Sequence, residues 1–149
     1  MTYPDTSFLC ALYIAQSNSA KAIQFMQRQP TALTSTSLLL YEFRQSVQFQ
    51  VFRYAKDPKQ GYGMTVAQAA LAMLQANLAA GVFQQAQVDW TDVHRIAERL
   101  AFKHTAKRGH RSFDVLHVAT ALHLGATVFL TFDANQKKLA QTEGLRAPL

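Results

Sequence analysis

A chain of 149 residues, 49% hydrophobic and only 16% charged, is sized for one domain with a substantial buried core. Its single cysteine, Cys10, excludes an intramolecular disulfide and a multi-thiolate zinc site, and makes a reducing compartment the default. A net charge of +6 and a pI near 9.7 allow a polyanionic partner without demanding one.

Met1 to Pro4 is too short to predict much of a strand. It leads through Asp5-Thr6-Ser7 into the apolar stretch Phe8 to Ala15, at helical density. That stretch is far too short to span a bilayer and follows an acid rather than a basic segment. Neither a membrane span nor a signal peptide is therefore expected, and the chain reads as cytoplasmic. Asp5 or Thr6 fits an N-cap, which is the simpler account. The alternative for Asp5 is a strand-end carboxylate pointing into a site.

Ser17 to Gln29 predicts a second amphipathic helix, with Ala20, Ile23 and Met26 on one stripe and Pro30 closing it. Ala32 to Thr36 is a short strand candidate. Ser37 then fits the N-cap of a long helix that ends before Asp57-Pro58. Glu42 lies inside this helix among Leu38, Leu39, Leu40, Tyr41 and Phe43, with no cation one turn away. It reads either as a surface carboxylate or as a partly buried one that needs a partner or a metal.

Lys56 to Gly63 reads as a loop, and Thr65 to Ala80 as an alanine-rich helix stopped by Gly81. Val82 to Val88 is a candidate edge strand. The next helix is expected over Asp89 to Lys107, with Ile96, Leu100 and Phe102 toward the core. Asp92, Arg95 and Glu98 belong on its wet face.

Lys103 to Arg111 is the densest basic run and leads directly to Asp114. Cations beside carboxylates are what a phosphodiester substrate needs, so Lys103, Lys107, Arg108 and Arg111 are candidate phosphate contacts. Ser112 can cap the following helix, which puts Asp114 in its first turn. His117 shares the face of Asp114 and reads as a hydrogen-bonded core residue; His123 lies on another face. After Gly125, Thr127 to Thr131 is a buried strand. Asp133 opens the last helix, and Gln136 completes a D-x-x-Q capping box.

Each of Asp5, Glu42, Asp114 and Asp133 has a local structural role. Together they fall at strand ends, helix starts or apolar helix faces of successive α/β units, places that converge at one edge of a parallel sheet. Clustered carboxylates need a counter-charge, and Mg²⁺ or Mn²⁺ supplies it while engaging substrate phosphates. The chemistry this suits is metal-assisted hydrolysis.

Four segments carry a resemblance: D-T-S near the N-terminus, the helix SLLLYEFRQSV, the block R-S-F-D-V-L-H-V-A-T-A-L, and T-F-D-A-N-Q-K-K-L-A. In order, and over essentially the whole chain, they are similar to a PIN domain, and most of all to VapC-type toxins of toxin–antitoxin pairs. The central block is the most specific part. The resemblance implies a single PIN-like domain over 1–149, a three-layer α/β/α fold with a central parallel sheet of four or five strands. It implies an endoribonuclease that uses Mg²⁺ or Mn²⁺, a small antitoxin partner and a homodimer.

Carried over by position, Asp5, Glu42, Asp114 and Asp133 match the family's acidic quartet, with Asp5 and Asp114 as the direct metal ligands. Glu42 and Asp133 would bind a second ion or orient the attacking water. Ser7 and Thr131 match supporting hydroxyls, and Arg111 the basic residue ahead of the third acid. Pro4 departs from the aliphatic residue usual before the first Asp, so a shortened first strand is expected. Gln48 to Gly81 matches nothing specific. Two other readings are a PIN-like module that binds RNA or protein without cutting, and a phosphoryl-accepting receiver domain. An intact quartet argues against the first. The absence of an acidic neighbour beside Asp5 argues against the second.

Overall fold

The computed structural model describes all 149 residues. Four short strands are present: β1 (Thr2–Pro4), β2 (Leu33–Ser35), β3 (Phe83–Gln85) and β4 (Val128–Leu130). β1 pairs with β4 and β2 with β3, both parallel. The two pairs abut where β1 lies beside β2, giving the spatial order β3, β2, β1, β4. Beyond β4, Arg146 adds one parallel bridge at Val128. The expected sheet of four or five strands is thus built from very short ladders in two paired halves. Pro4 is the last residue of β1, opposite Leu130, and β1 has the same three-residue length as the other strands, so the expected shortening does not set it apart.

The helices are α1 (Thr6–Tyr13), α2 (Ser19–Arg28), α3 (Ser37–Lys56), α4 (Met64–Ala79), α5 (Trp90–Leu100), α6 (Ala106–Arg108), α7 (Ser112–His123) and α8 (Ala134–Thr142). The chain steps from β1 to β2 to β3 in one direction, then returns across the sheet to β4. Right-handed crossovers therefore place α1–α4 on one face and α5–α7 on the other. The packing agrees: α1 contacts α2, α3 and α4, while α7 contacts α5 and α8. The direction of winding reverses between β1 and β4, and in such sheets the crevice for a ligand opens at the carboxyl ends of those two strands.

The core is continuous around Tyr3, Phe8, Leu9, Leu33, Leu39, Phe43, Leu100, Phe129, Leu130 and Leu139, all fully buried or nearly so. Gly61, at φ +68°, closes the loop after α3, where an added Cβ would overlap the Gln50 carbonyl oxygen.

Three local expectations change. In α2 the buried position is Ala22, whereas Ile23 is largely exposed, so the inward stripe is shifted by one or two residues. Thr36, not Ser37, caps α3, accepting from the Leu39 amide at 3.4 Å. The helix expected over Asp89 to Lys107 is interrupted after α5 by a π turn, Ala101–Thr105. The extra residue rotates Phe102 out of the core to 95% exposure.

Candidate active site

Asp5 follows β1, with its amide donating to the Leu130 carbonyl at 2.9 Å, so β4 fixes its position. It is also the N-cap of α1, and its side chain is completely buried. Asp5 is thus an N-cap and a strand-end residue at once. Ser7 Oγ donates to Oδ1 at 2.7 Å, the Phe8 amide to the same oxygen at 3.0 Å, and Thr131 Oγ1 to Oδ2 at 2.7 Å. Burial pushes the Asp5 carboxyl above its ordinary pKa, against the lowering effect of these hydrogen bonds and of His117.

The two hydroxyls act as cross-links. Ser7 Oγ accepts from the Phe132 amide at 2.8 Å, and Thr131 Oγ1 from the Asp133 amide at 2.9 Å. Together they tie the start of α1 to the segment leaving β4. Asp133 caps α8, its Oδ1 accepting from the Asn135 and Gln136 amides, each at 2.8 Å.

The expected D-x-x-Q box is only half made. Thr131 already occupies the Asp133 amide, which frees the Gln136 side chain to donate from Nε2 to Asp114 Oδ1 at 3.0 Å. Asp114 is buried in the first turn of α7. Its Oδ2 accepts from the Arg111 amide at 3.3 Å and from Arg111 Nε at 3.1 Å. Arg111 itself holds the N-cap position expected of Ser112. Its guanidinium also reaches Asp133 Oδ2 at 3.7 Å, so one solvent-exposed cation bridges two of the acids.

Glu42 projects from the second turn of α3 and accepts from Thr6 Oγ1 and, at 2.5 Å, from His117 Nε2. Burial alone would raise its pKa. Hydrogen bonds from His117 and Thr6, with the charges of His117 and Arg111, bring it below the ordinary carboxylate value. His117 is fully buried, and its Nδ1 lies 3.2 Å from the Tyr3 hydroxyl, which in turn contacts Thr36 Oγ1 at 3.1 Å. The core histidine expected from sequence is therefore the partner of Glu42, which has no cation one turn away on its own helix.

Asp5, Asp114 and Asp133 all sit at helix N-termini, where the backbone dipole favours negative charge, and all lie at the carboxyl ends of β1 and β4 or beside them. Thr6, Tyr3, His117 and Gln136 are further members of the site that no local sequence pattern marks as such. The only sequence signals for them were the three-residue spacings Asp114–His117 and Asp133–Gln136.

The basic residues divide. Lys103 Nζ pairs with Glu143 at 2.8 Å, next to His104 at 2.8 Å and Arg99 at 3.3 Å. Lys107 and Arg108 are exposed on α6, and the Arg108 carbonyl accepts from Asn135 Nδ2 at 3.4 Å, holding α6 against the start of α8.

The four acids offer only hard oxygen donors, which suit Mg²⁺ or Mn²⁺ in kind. Nowhere do three Asp, Glu, His or Cys side chains gather as a ready cage. Mg²⁺ does not require one, since it keeps several waters and takes one or two carboxylates. A cation would also offset the buried negative charge of Asp5. The residues therefore fit such an ion.

A family model described as "PIN domain" matches residues 2–141. Among solved structures, the chain is similar to VapC20 of Mycobacterium tuberculosis, a toxin that cleaves the sarcin–ricin loop. The TM-score is 0.70 at 16% identity, covering 97% of each chain. It is also similar to FitAcB from Neisseria gonorrhoeae, with a TM-score of 0.63 at 14% identity, covering 99% of this chain and 96% of that one. No curated protein matches at a significant level.

Proposed function

The chain belongs to the PIN domain family, and from that premise we propose that it is a metal-dependent endoribonuclease that acts as the toxin of a toxin–antitoxin pair. One observation carries the reading. Asp5, Asp114 and Asp133 are joined through Thr131, Gln136 and Arg111 at the carboxyl ends of β1 and β4, and Glu42 is held apart from them by His117 and by Thr6, the residue after Asp5. Two buried carboxylates and two partly exposed ones gathered at that place are more negative charge than stability alone calls for.

In this reading Asp5 and Asp114 hold Mg²⁺ or Mn²⁺, while Glu42 and Asp133 hold a second ion or orient the attacking water. A bound ion supplies Lewis acidity and neutralises charge on the phosphodiester. Ser7 and Thr131 fix both oxygens of Asp5, and His117 and Thr6 fix Glu42, so neither carboxylate has to reorganise on binding substrate. Arg111, Lys107 and Arg108 are exposed in the segment leading into Asp114 and, in this reading, engage RNA phosphates. Lys103, expected in the same group, is half exposed and pairs with Glu143.

The VapC-type likeness also supports a small antitoxin partner and a homodimer. Phe49, Phe52 and Tyr41 leave exposed aromatic surface along α3, in keeping with a protein partner there. No helix is long and apolar enough to cross a membrane.

The test is cleavage of labelled total RNA with Mg²⁺ or Mn²⁺ against a chelator, beside Asp114→Asn. Metal-dependent cutting that disappears in a folded Asp114→Asn supports the proposal. RNA binding without cutting by the native chain under any of these conditions would replace it with a non-cleaving binding module.

A further inference from the structure

Across the start of α3 runs an uncovered groove of about 340 Å³, formed by Leu38 and Tyr41 of α3, Trp90 and His94 of α5, and Leu116 of α7. α3 opens directly after β2, and α5 follows β3, so the groove extends the carboxyl edge of the sheet away from the acids. It begins beside Glu42. Tyr41 precedes Glu42 and Leu116 precedes His117, the two residues that meet at 2.5 Å. The Tyr3 hydroxyl, 3.2 Å from His117 Nδ1, also reaches Thr36 Oγ1, the cap of α3, at 3.1 Å.

The groups in it are open to a ligand. Tyr41 is 58% exposed, His94 is exposed, and Trp90 is half-buried with its ring centroid 6.5 Å from that of His94. A second groove, of about 660 Å³, shares Ser37 and Tyr41 with the first and runs to Arg44, which is exposed and pairs with no carboxylate. No acid lines either groove, and Asp89, beside Trp90, is engaged by the Thr91 and Asp92 amides. Phe49 and Phe52, further along α3, line neither.

Exposed aromatic faces with a free cation and no lining acid are the parts of a single-strand nucleic-acid surface: bases stack on the rings and the cation takes a phosphate. Stacking needs only the face of a base, so the selection is for unpaired RNA and not for one base. An A-form duplex keeps its faces stacked on one another and offers none to Tyr41 or Trp90. A protein helix or a second copy of the chain would also cover apolar surface. What favours RNA is that the groove opens beside Glu42, at the edge where the substrate strand must lie.

We propose that this groove seats the unpaired nucleotides next to the bond that is cut, their bases stacked on Tyr41 and Trp90 and a phosphate held by Arg44. The placement beside that bond rests on the nuclease reading above. The acids then act on one phosphate, and the groove restricts cutting to RNA whose flank is single-stranded.

Trp90 is the only tryptophan of the chain, so its fluorescence reports on the groove. The full chain, in chelator, is titrated with a single-stranded RNA of about eight nucleotides, with the same sequence as a duplex, and with inorganic polyphosphate. The single strand is expected to give saturable quenching, the duplex little, and polyphosphate, which has charge without bases, none. Anisotropy of the labelled single strand then follows the variants. Tyr41→Ala should weaken binding about tenfold, and Arg44→Ala should lower the slope of log affinity against log salt by about 0.7. Trp90→Phe, which keeps a ring, should bind more tightly than Trp90→Leu. Tyr41→Ala should melt near the native temperature, because the Tyr41 side chain is largely exposed. No quenching by the single strand, equal quenching by the duplex, or full affinity in Tyr41→Ala overturns the proposal. So does a native dimer that Tyr41→Ala dissociates with RNA affinity unchanged, which gives the face to a second copy. Total-RNA cleavage in metal separates the two readings. Cutting without quenching removes the groove and keeps the nuclease; quenching without cutting removes the nuclease and the placement beside a scissile bond.

Discussion

His117 and Glu42, 75 residues apart in sequence, meet at 2.5 Å with the imidazole fully buried. A carboxylate can only accept, so Nε2 carries the shared proton and Nδ1 is left to the Tyr3 hydroxyl. His117→Leu leaves Glu42 with Thr6 as its remaining side-chain donor. We expect a loss of about 2 kcal/mol, less than for a fully enclosed pair because Glu42 is partly exposed. The double variant with Glu42→Leu should lose clearly less than the sum of the singles. Urea unfolding of the four proteins measures this, and strict additivity would show that the contact carries no energy.

Gln136 holds Asp114 Oδ1 while Arg111 holds Oδ2, so the carboxylate is fixed from both sides. Gln136→Leu keeps the side-chain volume and frees one oxygen. If Asp114 holds the metal of the proposed nuclease, cleavage should fall about 10- to 100-fold, the usual cost of removing an outer partner of a metal-binding carboxylate. The dependence on metal concentration should move to higher values. A fall in turnover with unchanged metal dependence would place the effect of Gln136 elsewhere than on Asp114.

The sequence made the order of elements legible, because the glycine stops, caps and apolar runs are local signals. Asp5, Asp114 and Asp133 were legible for the same reason: each opens a helix, and helix starts follow strand ends. The contacts of Glu42 were not, since its partners Thr6 and His117 come from α1 and α7, and no spacing within α3 points to either. Phe102 failed differently. Its register was counted at 3.6 residues per turn through a segment where a π turn adds a residue, and that turn left the face pattern one step out. Lys103 belongs by sequence to the basic run, yet the same rotation directs it to Glu143.

Glu143 gathers Lys103, His104 and Arg99 at the end of α8, with its own side chain 7% exposed. Burial would raise its pKa, but the bonds from Lys103 and His104 and the nearby cations bring it below its usual 4.5. A carboxylate depressed on folding adds stability above its unfolded pKa and loses it as pH falls through the folded value. Glu143→Gln should therefore cost about 1–2 kcal/mol at neutral pH, discounted because Lys103 and Arg99 are half exposed. The difference from the native chain should shrink below pH 4.5. A difference that persists unchanged in acid would assign the loss to packing.

Lys107 and Arg108 have no carboxylate partner, in contrast to Lys103. If they meet RNA phosphates, Lys107→Ala and Arg108→Ala each reduce the slope of log affinity against log salt by about one, while Lys103→Ala leaves it unchanged. Fluorescence anisotropy with a labelled RNA in chelator reads the slopes. An equal effect from Lys103→Ala would return that residue to the RNA-binding group.

Asp5 opposes stability and function most directly. Its carboxyl is fully buried, and Ser7, the Phe8 amide and Thr131 do not offset the desolvation that raises its pKa. A group whose pKa rises on folding favours the protonated form. The negative charge therefore destabilises the fold at neutral pH, increasingly so as pH climbs from the unfolded value of 3.8. Asp5→Asn removes that charge and keeps an acceptor for Ser7 and Phe8; its amide can donate to Thr131 Oγ1. In chelator the variant should melt at or above the native temperature, and in the RNA assay it should be inactive. Added Mg²⁺ or Mn²⁺ should raise the melting temperature of the native chain and leave Asp5→Asn unmoved, because the ion binds the folded state through the missing charge. A variant that melts several degrees lower in chelator would show Asp5 to be structural, kept for its cap and not for a cation.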